Sequence, residues 1–273
     1  MDKSKGDTMK LKELINNSEF AELEITGITC DSRAVKAGNA FVCISGTLSD
    51  GHQYAASAVE KGAAVVIAER DTGLKNQIIV SDTHATYADM SAKWFGNPAD
   101  SLKLIGVTGT NGKTSVTYMI KKILEANGNK VGLIGTIQNM IGDEVIETKN
   151  TTQNAYDLNA LFAKMKEKGC SYAVMEVSSH ALDQCRVYNL DFSVAVFTNL
   201  TQDHLDYHIT MDNYFNAKSK LFKTLKEGNN AVINLDNKYA KRFIEVIDKD
   251  VNILTYGVKN NSDVQAKNIE FLQ

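Results

Sequence analysis

The chain alternates short apolar, β-branched runs with stretches of helical periodicity along most of its 273 residues. This alternation is typical of an α/β protein whose strands form a mostly parallel sheet. Turn residues at 96–100, Gly-Asn-Pro-Ala-Asp, interrupt the pattern and divide it into two series. We therefore predict two α/β domains, over residues 1–98 and 99–273.

Each series contains several predicted elements. In the first we expect strands at 40–45, 63–69 and 77–82, and helices at 52–62 and 84–95. In the second we expect strands at 102–109, 130–136, 172–179, 192–200, 230–236 and 251–257, and helices at 113–127, 155–168, 211–226 and 237–247. Ligands of parallel α/β sheets bind at the carboxyl ends of the strands, so polar residues there are the candidates for chemistry.

Composition and charge narrow the class of protein. The apolar fraction of 43% and the charged fraction of 23% are ordinary for a globular protein and argue against disorder or a coiled coil. A net charge of −3 offers no basic surface for nucleic acid. No apolar run approaches the roughly 20 residues of a membrane-spanning helix, and the first ten residues do not resemble a signal peptide. The four cysteines lack C-x-x-C spacing, so we expect reduced thiols in a cytoplasmic protein. We also expect a monomer.

The clearest chemical motif lies at 104–120, where an apolar strand runs through a glycine-rich turn into a helix. Such a turn surrounds phosphate oxygens with backbone N–H groups at a helix N-terminus. Val107 stands where the strict phosphate-loop pattern has its first glycine, so a turn without a ligand is the alternative. The intact Gly-Lys-Thr favours ATP, bound by Gly109, Thr110, Asn111, Gly112, Lys113, Thr114 and Ser115.

Two other predicted strands end in ionisable residues. Glu176 ends an apolar strand, where a buried carboxylate needs a cation or a hydrogen-bond donor. His204 and His208 follow another strand, within Asp-His-x-Asp-x-His. Their i, i+4 spacing is compatible with zinc or with solvated loop histidines. We favour Mg²⁺ over zinc, because a phosphate loop already accounts for a hard cation.

Further motifs follow in a fixed order: NTT at 150–152, MEVSSHAL at 175–182 with an arginine at 186, FTNLTQDHLDYH at 197–208 and YFNAKSKLF at 214–222. Together with the phosphate loop they resemble the Mur ligase family, and residues 28–46 resemble that family's uridine-nucleotide-binding domain. The resemblance spans residues 25–257. It implies a UDP-sugar-binding domain at 1–98, then a phosphate-loop ATPase-type domain with a mostly parallel sheet at 99–273.

The resemblance also implies an activity and a role for each matched position. In this family ATP phosphorylates a carboxylate of a UDP-linked peptide, and an amine then attacks the acyl phosphate. Lys113, His204 and Lys218 would be catalytic. Thr114 and Glu176 would bind one Mg²⁺ and His204 a second. Lys218 would react with CO₂ to form a carbamate that bridges to this metal site. The UDP-linked substrate would be bound by Ser32, Thr47, Asn150, Thr151, Thr152, Ser178, Gln184 and Arg186.

Within the family, the resemblance is strongest to ligases that add the third amino acid of the peptidoglycan stem peptide. Their partners would be UDP-N-acetylmuramoyl-dipeptide and a diamino acid, either meso-diaminopimelate or L-lysine. The family's C-terminal domain is expected to be missing from this chain. Gln153 also departs from the pattern, because the family usually has proline there.

Several alternatives stay open at this level. Without the resemblance, Lys218 would be interpreted as a surface lysine, because Lys220 and Lys223 follow it in the same predicted helix. His52, His84 and His208 are left outside the site. The chain could instead be a ligase of the folylpolyglutamate synthetase type, although the first domain argues against that. It could also be a non-catalytic protein that binds a UDP-sugar and ATP.

Overall fold

A computed structural model describes residues 8–16, 19–46, 49–148 and 150–270. The chain forms two compact units. The first unit contains the residues up to Pro98 together with segments 154–164 and 184–189. The second contains residues 99–153, 165–183 and those from 190 onward. Both units are built on parallel sheets with helices, so the predicted α/β class is confirmed.

The first unit is built on a four-stranded parallel sheet whose strands pair in chain order: Gly27–Thr29, Asn39–Val42, Val65–Ala68 and Gln77–Ile79. The two central strands are buried throughout, which explains their continuous apolar runs. The helices are Leu11–Leu14, the 3₁₀ helix Gly51–Tyr54, Ala55–Glu60 and Thr83–Trp94. Met9–Lys10 and Glu24–Ile25 form a separate antiparallel pair.

The second unit is built on a nine-stranded sheet, in the order Glu144–Ile146, Asn139–Ile141, Val131–Ile134, Tyr172–Glu176, Lys103–Thr108, Phe192–Phe197, Asn230–Asn234, Asn252–Gly257 and Val264–Gln265. All neighbours are parallel except for the hairpin 139–146, which pairs antiparallel within itself and with the third strand. Its helices are Lys113–Ala126, Ser179–Asp183, Leu205–His208, Met211–Lys223 and Ala240–Glu245. The helix Ala155–Glu167 is divided between the units at Lys164. A 3₁₀ helix, Pro98–Ser101, precedes strand Lys103–Thr108.

The structure differs from the sequence prediction mainly where local hydrogen bonds end an element. The strand expected at 172–179 ends at Glu176, because Ser179 already begins a helix. The helix expected at 237–247 spans Ala240–Glu245, since the side chain of Asn237 accepts the N–H of Tyr239 and forms a turn first. The helix expected at 52–62 begins with a 3₁₀ turn, whose first N–H groups are capped by Asp50.

The cysteines, His52 and the helix lengths bear on the remaining expectations from the sequence. The four cysteines carry free thiols, and burial raises the pKa of Cys43 to about 12. His52 is buried, with Nδ1 2.7 Å from Asp50 Oδ1 and with Nε2 accepting the N–H of Glu69 at 3.0 Å. None of the helices in the described part of the chain has the length and apolarity that a bilayer crossing needs.

Candidate active site

Three neighbouring strands of the second unit bring their carboxyl ends together. Lys103–Thr108 lies between Tyr172–Glu176 and Phe192–Phe197, in parallel with both. Beyond the strand ends, the hydroxyl of Thr108 donates to the carbonyl oxygen of Val177 at 2.8 Å. The N–H of Thr198 donates to the carbonyl oxygen of Thr108 at 3.0 Å. The glycine-rich turn, Glu176 and the residues after Phe197 therefore converge at one sheet edge.

The glycine-rich turn is shaped by two glycines and by the neighbouring strand end. Gly109 has φ +144° and Gly112 has φ +85°, a region of backbone conformation that favours glycine. A Cβ at Gly109 would lie 2.0 Å from Thr198 Oγ1. Asn111 exchanges two hydrogen bonds with the Asn199 side chain, both 3.0 Å. The turn is thus held in an open loop, and the helix begins at Lys113 immediately after it.

Lys113 lies inside this loop. Its Nζ donates to the carbonyl oxygens of Gly109 at 3.0 Å and Thr110 at 2.9 Å. Burial lowers the pKa of Lys113, and the nearby carboxylates of Glu176 and Asp203 act in the opposite direction. The side chain that the sequence assigned to the phosphates is therefore a cation already oriented by the loop.

Glu176 is a buried carboxylate with three donors. Oε1 accepts from the Thr114 hydroxyl at 3.0 Å and from the N–H of Thr136 at 2.9 Å. Oε2 accepts from the Thr136 hydroxyl at 3.1 Å. Gly135 makes room for the carboxylate, because a Cβ there would lie 2.5 Å from Oε1. A carboxylate and a hydroxyl this close are the hard oxygen ligands that Mg²⁺ prefers.

The described residues contain no group of three or more His, Cys, Asp or Glu side chains arranged to hold a metal ion. Such a group is not required for Mg²⁺, which usually takes one or two carboxylates from the protein and the rest from water and phosphate. The donor set of Thr114 and Glu176 beside a phosphate loop fits that mode of binding.

His208, the second member of the histidine pair, is buried with Nε2 2.9 Å from the hydroxyl oxygen of Ser179.

Lys218 is buried, with 1% of its surface exposed. It lies on helix Met211–Lys223, and its Nζ donates to the carbonyl oxygen of Gly109 at 2.9 Å. Burial, and secondly the positive charge of Lys113, hold the pKa of Lys218 well below its usual range. The surface-lysine interpretation is therefore wrong for Lys218, although it is right for the exposed Lys220 and Lys223. A neutral amine is the form of lysine that reacts with CO₂.

Aromatic and histidine side chains surround the predicted ligand His204. Its own ring is partly exposed and lies 5.0 Å from the ring of His180 and 6.0 Å from that of Tyr214, between centroids. Its backbone is left-handed, with φ +51°, and its N–H donates to Asp203 Oδ1 at 2.9 Å. Burial and the charge of His180 lower the pKa of the neighbouring His208. His204 is thus the accessible member of this cluster.

Three of the predicted substrate residues are linked to Glu176 by hydrogen bonds, Thr152 directly, Thr151 through Thr136 and Ser178 through Thr152. The Thr152 hydroxyl donates to the backbone carbonyl oxygen of Glu176 at 2.9 Å and accepts the N–H of Ser178 at 3.2 Å. The hydroxyl of Thr136 lies 3.0 Å from that of Thr151. Asn150 is exposed at the start of this segment. The structure therefore brings Thr151, Thr152 and Ser178 together with the predicted metal ligands.

The remaining predicted substrate residues belong to the first unit, apart from Thr47, which lies outside the described residues. The guanidinium of Arg186 donates twice to Gln184 Oε1, at 3.1 and 2.6 Å. The carbonyl oxygen of Ser32 accepts from Lys61 Nζ at 2.8 Å. The ring nitrogens of His84 lie 3.2 Å from two carbonyl oxygens, those of Gln184 and Ser45.

Several of these contact residues were missed by sequence analysis. Thr136 follows strand Val131–Ile134 and could have been found by the same strand-end argument that identified Glu176. Asn199 also follows a strand but carries no ionisable group. Tyr214 and His84 could not be found, since each contacts its partner across a large distance in sequence: Tyr214 with Thr110, and His84 with Gln184.

Two family descriptions match the chain. "Mur ligase middle domain" matches residues 107–273, and "Mur ligase family, catalytic domain" matches residues 24–94. The first match alone covers more than half of the residues. The chain belongs to the Mur ligase family. The resemblance inferred from the motifs is thereby confirmed.

Two relatives of this Mur ligase and one solved structure share the name UDP-N-acetylmuramoyl-L-alanyl-D-glutamate--2,6-diaminopimelate ligase. That of Caldanaerobacter subterraneus subsp. tengcongensis is 48% identical over 251 residues, covering 91% of this chain and 51% of the relative. That of Bacillus licheniformis is 47% identical over 267 residues, covering 95% and 54%. A solved structure of the same name superposes with a TM-score of 0.82 at 30% identity, covering 95% and 54%. The chain spans about half the length of the curated relatives it matches.

Proposed function

We propose that this Mur ligase acts in peptidoglycan synthesis as an ATP-dependent amide ligase. Its substrates would be UDP-N-acetylmuramoyl-L-alanyl-D-glutamate and 2,6-diaminopimelate, the pair in the names of its relatives. One observation carries the proposal. Glu176 contacts Thr114 of the phosphate loop through its side chain and Thr152 of the predicted substrate segment through its backbone. The residues assigned to nucleotide and to substrate are therefore neighbours, as phosphoryl transfer between two bound anions requires.

The nucleotide would be bound by the loop 109–115. The backbone N–H groups at the start of helix Lys113–Ala126 would donate to phosphate oxygens, helped by the positive end of the helix dipole. The Lys113 ammonium would exchange its two carbonyl partners in the loop for the outer phosphates. This exchange would pair its charge with negative phosphate oxygens, which the neutral carbonyl partners do not provide.

Mg²⁺ would be held by Thr114, Glu176, His204 and a carbamate of Lys218. When bound, it supplies a positive charge that brings the carboxylate and the triphosphate together and stabilises the transferring phosphoryl group. Glu176 needs little rearrangement for this role, because its buried carboxylate already faces the Thr114 hydroxyl. Lys218 suits carbamate formation, because burial favours its neutral amine. The carbamate would then contribute a negative charge in place of a neutral amine.

The UDP-linked dipeptide would be bound by the hydroxyls of Thr151, Thr152 and Ser178, with Asn150 beside them. Ser32, Thr47, Gln184 and Arg186 would complete its binding. The planar guanidinium of Arg186 suits a carboxylate or a phosphate. Its present acceptor, the neutral amide oxygen of Gln184, would be exchanged for a charged group. Because the activity consumes ATP and a UDP-linked precursor, we assign it to the cytoplasm.

The first half-reaction provides a direct test. The protein would be mixed with Mg·ATP, the UDP-linked dipeptide and hydroxylamine, which converts an acyl phosphate into a stable hydroxamate. We expect hydroxamate and ADP in equal amounts, both dependent on the dipeptide, and neither from Lys113→Ala. Tetrahydrofolate in place of the dipeptide tests the folylpolyglutamate synthetase alternative. Binding of both ligands without ADP release would instead identify a non-catalytic binding protein.

A further inference from the structure

The side chain of Gln153 is buried immediately after the predicted substrate residues Thr151 and Thr152. Its Nε2 donates to the hydroxyl oxygen of Thr148 at 2.5 Å and to the carbonyl oxygen of Asn150 at 3.1 Å, with a longer contact to Asn139 Oδ1 at 3.4 Å. The Thr148 hydroxyl donates to that same carbonyl oxygen at 2.7 Å. The Thr148 hydroxyl has one proton, which it donates to Asn150, so toward Gln153 it can only accept a hydrogen bond. The NH₂ end of the Gln153 amide must therefore face this hydroxyl.

The other end of the amide has no partner. Oε1 of Gln153 is a buried atom without a hydrogen bond, a property shared among the described residues with Asn159 Oδ1. An unpaired buried oxygen destabilises the folded state. Leucine has a similar size and would remove that oxygen. Packing therefore does not require an amide at this position, whereas the three hydrogen bonds of Nε2 do.

The hydrogen bonds of Gln153 hold the first residue of segment 150–152, which Glu176 does not contact in the hydrogen bonds given above. Thr152 is held by the backbone of Glu176, and Thr151 lies against Thr136. The carbonyl oxygen of Asn150 is held instead by Thr148 and Gln153. Proline, which the family usually has at this position, has no side-chain donor. In this chain the start of the segment is ordered by a side-chain amide.

We propose that Gln153 is a positioning residue that holds Asn150 and Thr151 in the conformation that binds the UDP-linked dipeptide. The inference rests on the proposed function for the identity of that ligand. It concerns substrate binding alone, because Gln153 contacts neither the phosphate loop nor Glu176 through the hydrogen bonds described above. Loss of the amide should therefore weaken substrate binding while nucleotide affinity and stability stay nearly unchanged.

The first test is Gln153→Leu in the 273-residue protein. We expect the Kd for UDP-N-acetylmuramoyl-L-alanyl-D-glutamate to rise about tenfold, while the Kd for Mg·ATP stays within about twofold of wild type. The Tm should stay within about 3 °C, because the lost hydrogen bonds are offset by removal of the unpaired oxygen. A parallel fall in nucleotide affinity and Tm would indicate a purely structural residue and would overturn the proposal.

Two further variants sharpen this test. Thr148→Val removes the hydroxyl between Gln153 and Asn150. The double variant Thr148→Val/Gln153→Leu should therefore bind the dipeptide no more weakly than whichever single variant has the lower affinity. Independent, multiplying effects would contradict a shared network. Asn159→Leu is the matched control, since it removes the other unpaired buried amide oxygen. It should leave the affinity for the dipeptide unchanged.

A second measurement does not depend on the ligand. Hydrogen exchange in the ligand-free protein should be faster at backbone amides 148–152 in Gln153→Leu than in wild type, with helix 113–126 unchanged. Equal exchange at 148–152 would overturn the positioning role. If the wild-type protein does not bind the dipeptide, the proposed function fails. The exchange result then still decides whether Gln153 orders this segment.

Discussion

Lys113 and Lys218 donate to the same acceptor, the backbone carbonyl oxygen of Gly109, at 3.0 and 2.9 Å. Two ammonium groups on one neutral oxygen repel each other, and burial adds to the cost of charging them. Burial lowers the pKa values of both lysines, and the charge of Lys113 lowers that of Lys218 further. A triphosphate at the loop would supply the negative charge that this pair lacks.

The lowered pKa of Lys218 predicts a pH-dependent stability. Between that lowered value and the ordinary value of 10.5, the unfolded chain binds a proton that the folded chain does not. The free energy of unfolding therefore rises with pH across this window. Lys218→Met should lose this rise, so the difference in the free energy of unfolding between the two proteins should change with pH across this window.

Urea unfolding of both proteins at a series of pH values from neutral upward measures that difference. Lys220→Met, on the same helix but exposed and paired with Asp183, should keep the wild-type profile. A Lys218→Met profile parallel to wild type would show that Lys218 does not titrate abnormally.

The proposed carbamate of Lys218 predicts a chemical rescue. Lys218→Ala should lower hydroxamate formation at least about 100-fold, the effect of removing an electrostatic group from a reacting site. Short carboxylic acids such as acetate should restore part of the rate, since they replace the carbamate oxygens, whereas bicarbonate alone should not. Rescue by methylamine in place of acetate would argue for a catalytic ammonium instead.

The phosphate loop predicts a loss of nucleotide binding in Lys113→Ala. Losing one charged hydrogen bond should cost about 1.5–3 kcal/mol, or about ten- to a hundredfold in the Kd for Mg·ATP. Calorimetry checks this, with Lys122→Ala as the control because Lys122 is an exposed lysine of the same helix. If both variants bind ATP like wild type, the loop does not bind phosphate.

Glu176→Gln tests the metal site. Glutamine keeps the shape and can still accept from Thr114, but it removes the negative charge. We expect the enhancement of ATP affinity by Mg²⁺ to fall about tenfold or more, with metal-free ATP binding retained. Glu144→Gln, in the exposed hairpin, is the control. Undiminished Mg²⁺ enhancement in Glu176→Gln would remove this carboxylate from the ligand set.

Arg186→Ala tests substrate binding in the first unit. The Kd for the UDP-linked dipeptide should rise about ten- to a hundredfold, since a charged bidentate contact contributes about 1.5–3 kcal/mol. Arg186→Lys should restore little, because an ammonium cannot form the two parallel bonds of a guanidinium. Arg242, a half-buried arginine paired with Asp212 in the second unit, provides the control variant Arg242→Ala. Equal affinities for Arg186→Ala and wild type would place the contact elsewhere.

Local signals in the sequence were sufficient for much of the fold. The apolar runs predicted the strands that support the phosphate loop, and the Gly-Lys-Thr predicted a helix that begins at Lys113. These features depend on neighbouring residues, because glycine conformation and the periodicity of side chains are local properties. The hairpin 139–146 was missed for the converse reason. Its two strands have three residues each, too few for a periodic pattern.

The environment of single side chains was decided only by the tertiary structure. Nothing near Lys218 in the sequence distinguishes it from Lys220, yet one is buried against Gly109 and the other is exposed. The contact joins residues 109 positions apart, and it exists because a helix packs against the end of a distant strand. The same holds for Gln153, whose departure from the family pattern was visible in the sequence. Its network with Thr148 and Asn150 required the folded backbone, since a hydrogen bond forms only where donor and acceptor are positioned to within a few tenths of an ångström.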